Sequence, residues 1–169
     1  FWGLASLVAS ADVYVGTATE LQAALQSNTV IVLTSNIHVS LVNAEDLGFT
    51  AYYYDDEAAD DTGLLWHRLN SVVLDGNGYS IIGSGQSRIA IISGCRNIAI
   101  RNAHFTGGVD AVSFGGALLI TSSEGVHITN CKFSGNAAVG TGPYSGTGGA
   151  IAALSSSDVV VMQSTFVGN

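Results

Sequence analysis

Three side chains of the types that act on polysaccharides are Asp75, Arg101 and His127, and they are spaced at intervals close to an internal repeat of the chain. An Arg or Lys base beside a bound uronate can abstract a proton, whereas glycoside hydrolysis needs two carboxylates about 5–9.5 Å apart. Because this set holds one carboxylate, the residues argue against a glycosidase. We expect an Asp75–Arg101 ion pair, worth less than about 1 kcal/mol when exposed, rather than a catalytic centre.

A second candidate site is an acidic segment between residues 41 and 70, which could bind Ca²⁺ because hard cations prefer carboxylate oxygens. Its order, Asp-Asp-Glu-x-x-Asp-Asp, differs from the Asp-x-Asp-x-Asp-Gly of a calcium loop. We therefore expect a solvated loop inserted at 41–70, with Ca²⁺ the one cofactor left open. Trp66 could stack on a sugar there or pack the loop onto the rest of the protein. The candidate ligands are Asp55, Asp56, Glu57, Asp60 and Asp61.

The other reactive side chains show no enzyme signature. His38 and His104 have no partner at the spacing of a known motif, and the Ser-rich runs are typical of turns, without a nucleophile elbow. Cys95 and Cys131 are too few for a disulfide framework and lack metal-ligand spacing, and the sequence leaves open whether they pair.

Composition narrows the class of protein. The 169 residues include 21 Gly and one Pro, charged residues are 11%, and the net charge is −8. This composition excludes disorder, which needs high charge and low hydrophobicity, and collagen, which needs abundant Pro. The five basic residues are dispersed, so nucleic acid is not an expected partner. No apolar run reaches the roughly 20 residues of a membrane-spanning helix.

The candidate residues must be positioned by an internal repeat. Gly115-Gly116-Ala117 recurs as Gly148-Gly149-Ala150, and the segment from Phe133 to Asn136 recurs from Phe166 to Asn169, with the same shift for both markers. A degenerate copy begins at Phe105, a slightly shorter interval before Phe133. Two independent markers that share one offset indicate a real repeat.

Aligned on these offsets, apolar residues alternate with polar ones in the same columns, as in half-buried strands. One column holds Val72, Ile98, Val126 and Val159, and another holds Asp75, Arg101, Thr129 and Met162; Arg96 and Glu124 also share a rung. Short strands joined by tight turns leave no room for crossover helices. The repeats therefore predict coils over 72–169, stacked into a right-handed parallel β-helix, an all-β solenoid. Phe105, Phe133 and Phe166 would form one internal ladder, and Asn136 and Asn169 another.

The start of the chain predicts two further features. Thr17–Ser27 has a helical apolar stripe and a Thr N-cap, so we expect a short capping helix before the strands. Residues 1–11 end in Ala9-Ser10-Ala11 after an apolar run, which is typical of the remnant of a secretory signal peptide. Residues 12–169 then form a single β-helix domain of a secreted or cell-surface protein. The chain ends within a repeat, so further coils are expected beyond Asn169.

The paired markers resemble the repeats of polymorphic outer membrane proteins, which carry Gly-Gly-Ala-(Ile/Leu/Val) and Phe-x-x-Asn. The front of the chain is similar to the start of pectate-lyase-like β-helices, with a capping helix, a strand and then Leu74-Asp75-Gly76-Asn77-Gly78. The resemblance implies a secreted or surface-exposed β-helix that serves in adhesion or as a structural stalk.

Two functions follow as expectations. The first is a structural or adhesive surface module without catalysis, whose partner is a carbohydrate or another surface protein. The alternative is a polysaccharide-active β-helix enzyme, a pectate-lyase-like lyase that uses the Asp75, Arg101 and His127 face, with Ca²⁺ left open as its cofactor.

Overall fold

The computed structural model describes residues 11–40, 42–43, 61–110, 114–139 and 146–169. Within these ranges the chain forms one helix and eighteen short strands. The elements are β1 (Val13–Val15), α1 (Ala18–Ala24), β2 (Thr29–Leu33), β3 (Ile37–His38), β4 (Val42–Asn43), β5 (Asp61–His67), β6 (Asn70–Asp75), β7 (Ser80–Ile82), β8 (Arg88–Ser93), β9 (Arg96–Arg101), β10 (His104–Thr106), β11 (Val109–Asp110), β12 (Leu118–Thr121), β13 (Glu124–Thr129), β14 (Lys132–Ser134), β15 (Ala137–Ala138), β16 (Ile151–Leu154), β17 (Ser157–Met162) and β18 (Thr165–Val167).

The strands stack into three long sheets. The first sheet has the order β1-β2-β6-β9-β13-β17, the second β3-β7-β10-β14-β18, and the third β4-β5-β8-β12-β16; β11 and β15 form a small fourth sheet. Neighbouring strands are parallel except for β4 and β5. From β5 onward, successive strands along the chain belong to different sheets, and β8, β12 and β16 return to the third sheet. The all-β, parallel-strand part of the prediction is confirmed, and it agrees with a solenoid.

The register between coils is the one that the repeat predicts. Ile98 of β9 is opposite Val126 of β13, which is opposite Val159 of β17. Arg101 is opposite both Asp75 and Thr129. Since a shift of one residue would turn every apolar side chain outward, the buried Ile and Val columns hold this register.

Aromatic and amide ladders fill the interior. The rings of Phe105 and Phe133 stack with centroids 5.1 Å apart, and those of Phe133 and Phe166 with centroids 5.0 Å apart. The Asn136 Nδ2 donates to the Asn169 Oδ1 at 2.8 Å and to the Phe105 carbonyl oxygen at 3.1 Å. Both predicted ladders are present. Asn136 is buried, and its side chain supplies a hydrogen-bond partner to a backbone carbonyl that water does not reach.

The Gly-Gly pair of the repeat has a steric reason. Gly115 has a φ of +61°, a left-handed conformation that glycine adopts without strain. A Cβ on Gly116 would collide with the backbone of Ala137 and with the carbonyl of Gly149 on the next coil. The first glycine therefore permits the corner, and the second permits close stacking of coils.

Helix α1 begins as predicted. The Thr17 Oγ1 accepts from the Glu20 amide at 3.2 Å, and the Glu20 Oε2 accepts from the Thr17 amide at 3.1 Å, which is a capping box. The helix buries Leu21 and Ala24 but ends at Ala24 rather than Ser27. It ends early because Asn28 turns with a φ of +62° and donates its amide to the Asn70 carbonyl, leading into β2.

The predicted insertion ends before residue 70. Residues 61–67 form β5, in register with β8, and the Leu64 and Trp66 side chains are buried in the core. Trp66 is 1% exposed, so it offers no face to a sugar. This strand carries a short run of buried apolar residues, as β8 does on the next coil. Residues 1–10 of the predicted signal remnant lie outside the described residues.

Candidate binding face

The outer face of the first sheet carries two of the three predicted site residues in direct contact. The Arg101 Nε donates to the Asp75 Oδ2 at 2.9 Å, across adjacent coils. The Asp75 Oδ1 also accepts from the Asn102 Nδ2 at 3.0 Å and from the Asn77 amide at 2.9 Å. Both carboxylate oxygens of Asp75 are therefore hydrogen-bonded within the protein.

Electrostatics keep the Asp75 carboxylate charged. Partial burial acts to raise the pKa of Asp75, but the hydrogen bonds from Asn102, Asn77 and Arg101, together with the Arg101 charge, outweigh it. The pKa is lowered as a result. A carboxylate held in this way fixes the guanidinium beside it rather than acting as a general acid.

An amide ladder continues the network along the adjoining corner. The Asn130 Nδ2 donates to the Asn102 Oδ1 at 2.8 Å, so hydrogen bonds run from Asn130 through Asn102 to Asp75. Asn102, Asn130 and Gln163 have φ values of 54°, 52° and 49°. Asn tolerates this left-handed region better than most residues, which explains why amides line the corner.

His127 does not join the Asp75–Arg101 pair. Its Nε2 lies 3.3 Å from the Asp158 Oδ2, on the coil that follows. Asp158 is a second carboxylate on this side of the first sheet, one that the sequence did not assign to the face. Asp158 has a left-handed backbone conformation, with a φ of 51°. Its side chain therefore does not follow the alternation of inward and outward residues from which the outer face was predicted.

A shallow depression joins the two pairs. Its lining includes Arg101, Asn102, His127, Thr129 and Asn130. The structure thus brings Arg101 and His127 to one surface, with Asp75 and Asp158 holding them from either side. The Arg96–Glu124 rung at the other end of these strands is also present, but its 3.9 Å separation and exposed side chains make it a weak pair.

The proposed calcium ligands are mostly outside the described residues. Asp55, Asp56, Glu57 and Asp60 fall there, and Asp61 is described only as the first residue of β5, opposite Asn43. Within the part of the chain that the structure describes, His, Cys, Asp and Glu side chains form no group of three that could hold a metal ion. Calcium binding by the acidic segment therefore stays a prediction.

The two cysteines are free and occupy serine positions in turn ladders. The Cys95 amide donates to the Ser123 Oγ, and the Cys131 amide donates to the Ser164 Oγ, both at 3.1 Å. They lie at different corners of the coil. Burial raises the pKa of both thiols, so neither is an activated nucleophile.

Sequence reasoning missed a buried ion pair. The Arg88 side chain is fully buried, and its Nη2 lies 2.8 Å from the Asp110 Oδ2 while it also donates to the Phe114 carbonyl oxygen. Arg88 and Asp110 are closer in sequence than any repeat offset, so no alignment joins them. Arg88 thus contacts both Asp110 and Phe114, which is a structural role.

Sequence reasoning also missed a cluster around His104 on the second sheet. Its two ring nitrogens contact the hydroxyls of Ser80 and Ser134. One serine precedes His104 and the other follows it, each by close to one coil of the chain. The repeat offsets do contain a signal for this cluster, because they align the outward residues of β7, β10 and β14 as well as the inward ones.

Comparisons with known proteins add little to this geometry. No protein-family model matches the chain, and no curated protein matches it. One solved structure, of a candidate glycosyl hydrolase from Parabacteroides merdae, aligns with a TM-score of 0.43 and 12% identity over 83% of this chain and 73% of that one. A likeness this low supports no conclusion about fold or function. The helix of the described part, seven residues long, is too short to cross a membrane.

Proposed function

We propose that the chain is a surface-binding module of a secreted or cell-surface protein, whose first sheet holds its ligand without cleaving it. It is a right-handed parallel β-helix whose first sheet offers its outer face to a carbohydrate chain. The right hand follows from the general rule that crossover connections between parallel strands turn that way in about 98% of cases. Export follows from the small residues at the end of the apolar N-terminal run.

The observation that supports binding is the pre-ordered polar array on the first sheet. Arg101 donates to Asp75, Asn102 donates to the same carboxylate, and Asn130 donates to the Asn102 Oδ1. A ligand that meets groups already fixed in place loses less side-chain freedom on binding. Because the array alternates donors and acceptors, it suits the hydroxyl groups of a sugar better than an apolar surface.

The same contacts favour binding of a polysaccharide chain over its cleavage. The Arg101 Nε donates to the Asp75 carboxylate at 2.9 Å, so this side chain is arranged as a fixed hydrogen-bond donor. A base for lyase chemistry would instead have to accept a proton from the substrate. Rungs of a parallel sheet are about 4.8 Å apart, so the array extends over several coils and fits a linear chain lying along the axis.

The test is binding to immobilised acidic and neutral polysaccharides, with and without Ca²⁺, while the solution is monitored for cleavage products. We expect binding without product, and at least about tenfold weaker binding in Arg101→Ala and Asn130→Ala, as for loss of one hydrogen bond to a charged or fixed group. Arg96→Ala is the matched control, because it removes an exposed Arg from the same sheet at the far end of the strand.

Two results would overturn the proposal. Product formation that disappears in Arg101→Ala would identify a lyase and not a passive module. Equal weakening by Arg96→Ala and Arg101→Ala would show that net positive charge, rather than the Asp75–Arg101–Asn102 array, attracts the polysaccharide.

A further inference from the structure

The second sheet carries an outward cluster that the binding face does not use. On three successive coils β7, β10 and β14 point Ile81, Phe105 and Phe133 into the core, so the residues on either side of each point outward. One outward rung is Ser80, His104 and Lys132, and the next is Ile82, Thr106 and Ser134. Histidine and serine therefore meet on adjacent strands, held by core aromatic packing beneath them.

The distances within this cluster are those of a nucleophile and its base. The Ser134 Oγ lies 2.7 Å from the His104 Nε2, and the Ser80 Oγ lies 3.3 Å from the His104 Nδ1. In the ring tautomer with its hydrogen on Nδ1, His104 donates to Ser80 and accepts the Ser134 hydroxyl proton. A hydroxyl bound to a histidine that a third group orients is the general pattern of an activated serine.

The charge around His104 favours the basic form of the ring. Burial, and after it the Lys132 ammonium, lower the pKa of His104, so the imidazole is neutral at pH 7. Lys132 lies opposite His104 on β14 and two residues before Ser134, on the same face. Its ammonium group is exposed and can approach an oxyanion that forms at Ser134.

We propose that Ser134, His104 and Ser80 form an esterase site for short-chain carboxylic esters. Ser134 is the nucleophile, His104 the general base and acid, and Ser80 a positioning residue that holds the ring. The neighbouring outward residue on β18 is Val167, whose side chain is 53% exposed and offers a small apolar contact for an acyl methyl group. Because Val167 is the apolar side chain directly opposite Ser134 on this open face, the site suits an acetyl-sized group rather than a long chain.

The reaction needs only the ester and water. The Ser134 Oγ bonds to the acyl carbon as its proton passes to the His104 Nε2, and Lys132 faces the resulting oxyanion. The bond from the acyl carbon to the alcohol oxygen then breaks, and His104 returns the proton to that oxygen. A water molecule, deprotonated by His104, attacks the acyl-serine, releases the carboxylic acid and restores Ser134.

The experiment has two readouts on the unmodified chain: labelling by a fluorophosphonate probe, with the labelled residue located by peptide mass spectrometry, and release of p-nitrophenol from p-nitrophenyl acetate. We expect the label on Ser134 and turnover above the buffer rate. Ser134→Ala should abolish both, and His104→Gln should slow acylation by about a hundredfold or more, the usual contribution of general acid–base catalysis.

Matched variants separate the site from general surface chemistry. Ser157→Ala removes an exposed serine from the first sheet and should leave both readouts unchanged. Ser80→Ala should slow acylation, and Ser80→Thr should restore it, because threonine keeps the hydroxyl that orients His104. Circular dichroism checks that each variant is folded.

Several results would overturn the assignment. An unlabelled chain, or a label on any serine other than Ser134, contradicts it without any variant having to fold. Turnover that persists in Ser134→Ala also contradicts it, as does acylation in His104→Gln that is as fast as in the unmodified chain. None of these results bears on polysaccharide binding by the first sheet, so this site and the proposed function fail or stand separately.

Discussion

The buried amide of Asn136 gives the sharpest test of how the coils hold together. Asn136 is 1% exposed, and its Oδ1 accepts from the Gly108 amide at 3.0 Å while its Nδ2 donates to the Phe105 carbonyl oxygen at 3.1 Å. Asn169 occupies the same position one repeat later, but it is exposed and its Nδ2 donates to the Phe133 carbonyl oxygen at 3.0 Å. The two residues therefore make the same kind of contact to the preceding coil at different burial.

The cost of Asn136→Ala can be worked from these contacts. The substitution leaves the buried Gly108 N–H without its acceptor, which costs about 1–3 kcal/mol, and removes a bond to the Phe105 carbonyl that contributes about 1 kcal/mol. We expect the free energy of unfolding to fall by about 2–4 kcal/mol, a large part of the roughly 5–15 kcal/mol typical of a domain. Asn169→Ala should cost less than about 1 kcal/mol, because water can replace its exposed amide.

The assay is urea unfolding of the three proteins, followed by circular dichroism and by tryptophan fluorescence, with the slopes compared to check that one transition is measured. The reasoning is refuted if Asn136→Ala costs no more than Asn169→Ala. That result would show that the hydrogen bonds from Asn136 to buried backbone groups are not what stabilises the stacked coils.

The remaining predictions concern the core, the thiols and pH. Phe133→Ala should lower the free energy of unfolding by about 3–5 kcal/mol, measured in urea, and Phe166→Ala should lower it by less than half as much. The reason is that Phe133 is 0% exposed whereas Phe166 is 49% exposed. Equal losses of free energy in the two variants would contradict this dependence on burial. Cys95 and Cys131 should react with a thiol reagent such as DTNB only as fast as the fold opens, because burial raises both pKa values; rapid reaction of either in the folded protein would contradict this. The pKa of Asp75 lies below its ordinary value of 3.8, so its carboxylate stabilises the fold above that pH, and the contribution is lost as the pH falls through the folded-state value. Asp75→Asn should therefore lower the free energy of unfolding at pH 7 and flatten its fall below about pH 4, and an unchanged slope between pH 7 and pH 3 would count against the reasoning.

The repeat was enough to predict much of the candidate face. The offset between neighbouring coils placed Arg101 opposite Asp75, and the structure has them bonded at 2.9 Å. His127 was assigned to the same surface, but its partner is Asp158, whose left-handed backbone breaks the simple alternation of sides. A periodic pattern predicts which position of a strand a residue occupies. It does not predict the direction of a side chain on a corner residue with a left-handed backbone.

The acidic segment illustrates a limit of composition. Charge density predicted a loop through residue 70, whereas residues 61–67 form a core strand that buries Trp66. The offset that joins Asp75 to Arg101 also joins Leu64 of this strand to Ala90 of β8. Acidic residues directly precede this strand in the sequence, so charge density does not distinguish it from the loop.

By itself, the sequence determined the coil register, the phenylalanine and asparagine ladders and the N-terminal cap, because these depend on residues that recur at fixed offsets and on local hydrogen bonds. The tertiary structure alone decided which outward and corner side chains meet, such as Asn102 with Asp75 and Ser134 with His104, and it alone paired the buried Arg88 with Asp110. Outward and corner positions are not constrained by a shared core, so their types vary from coil to coil. Their contacts exist only once the coils are stacked about 4.8 Å apart.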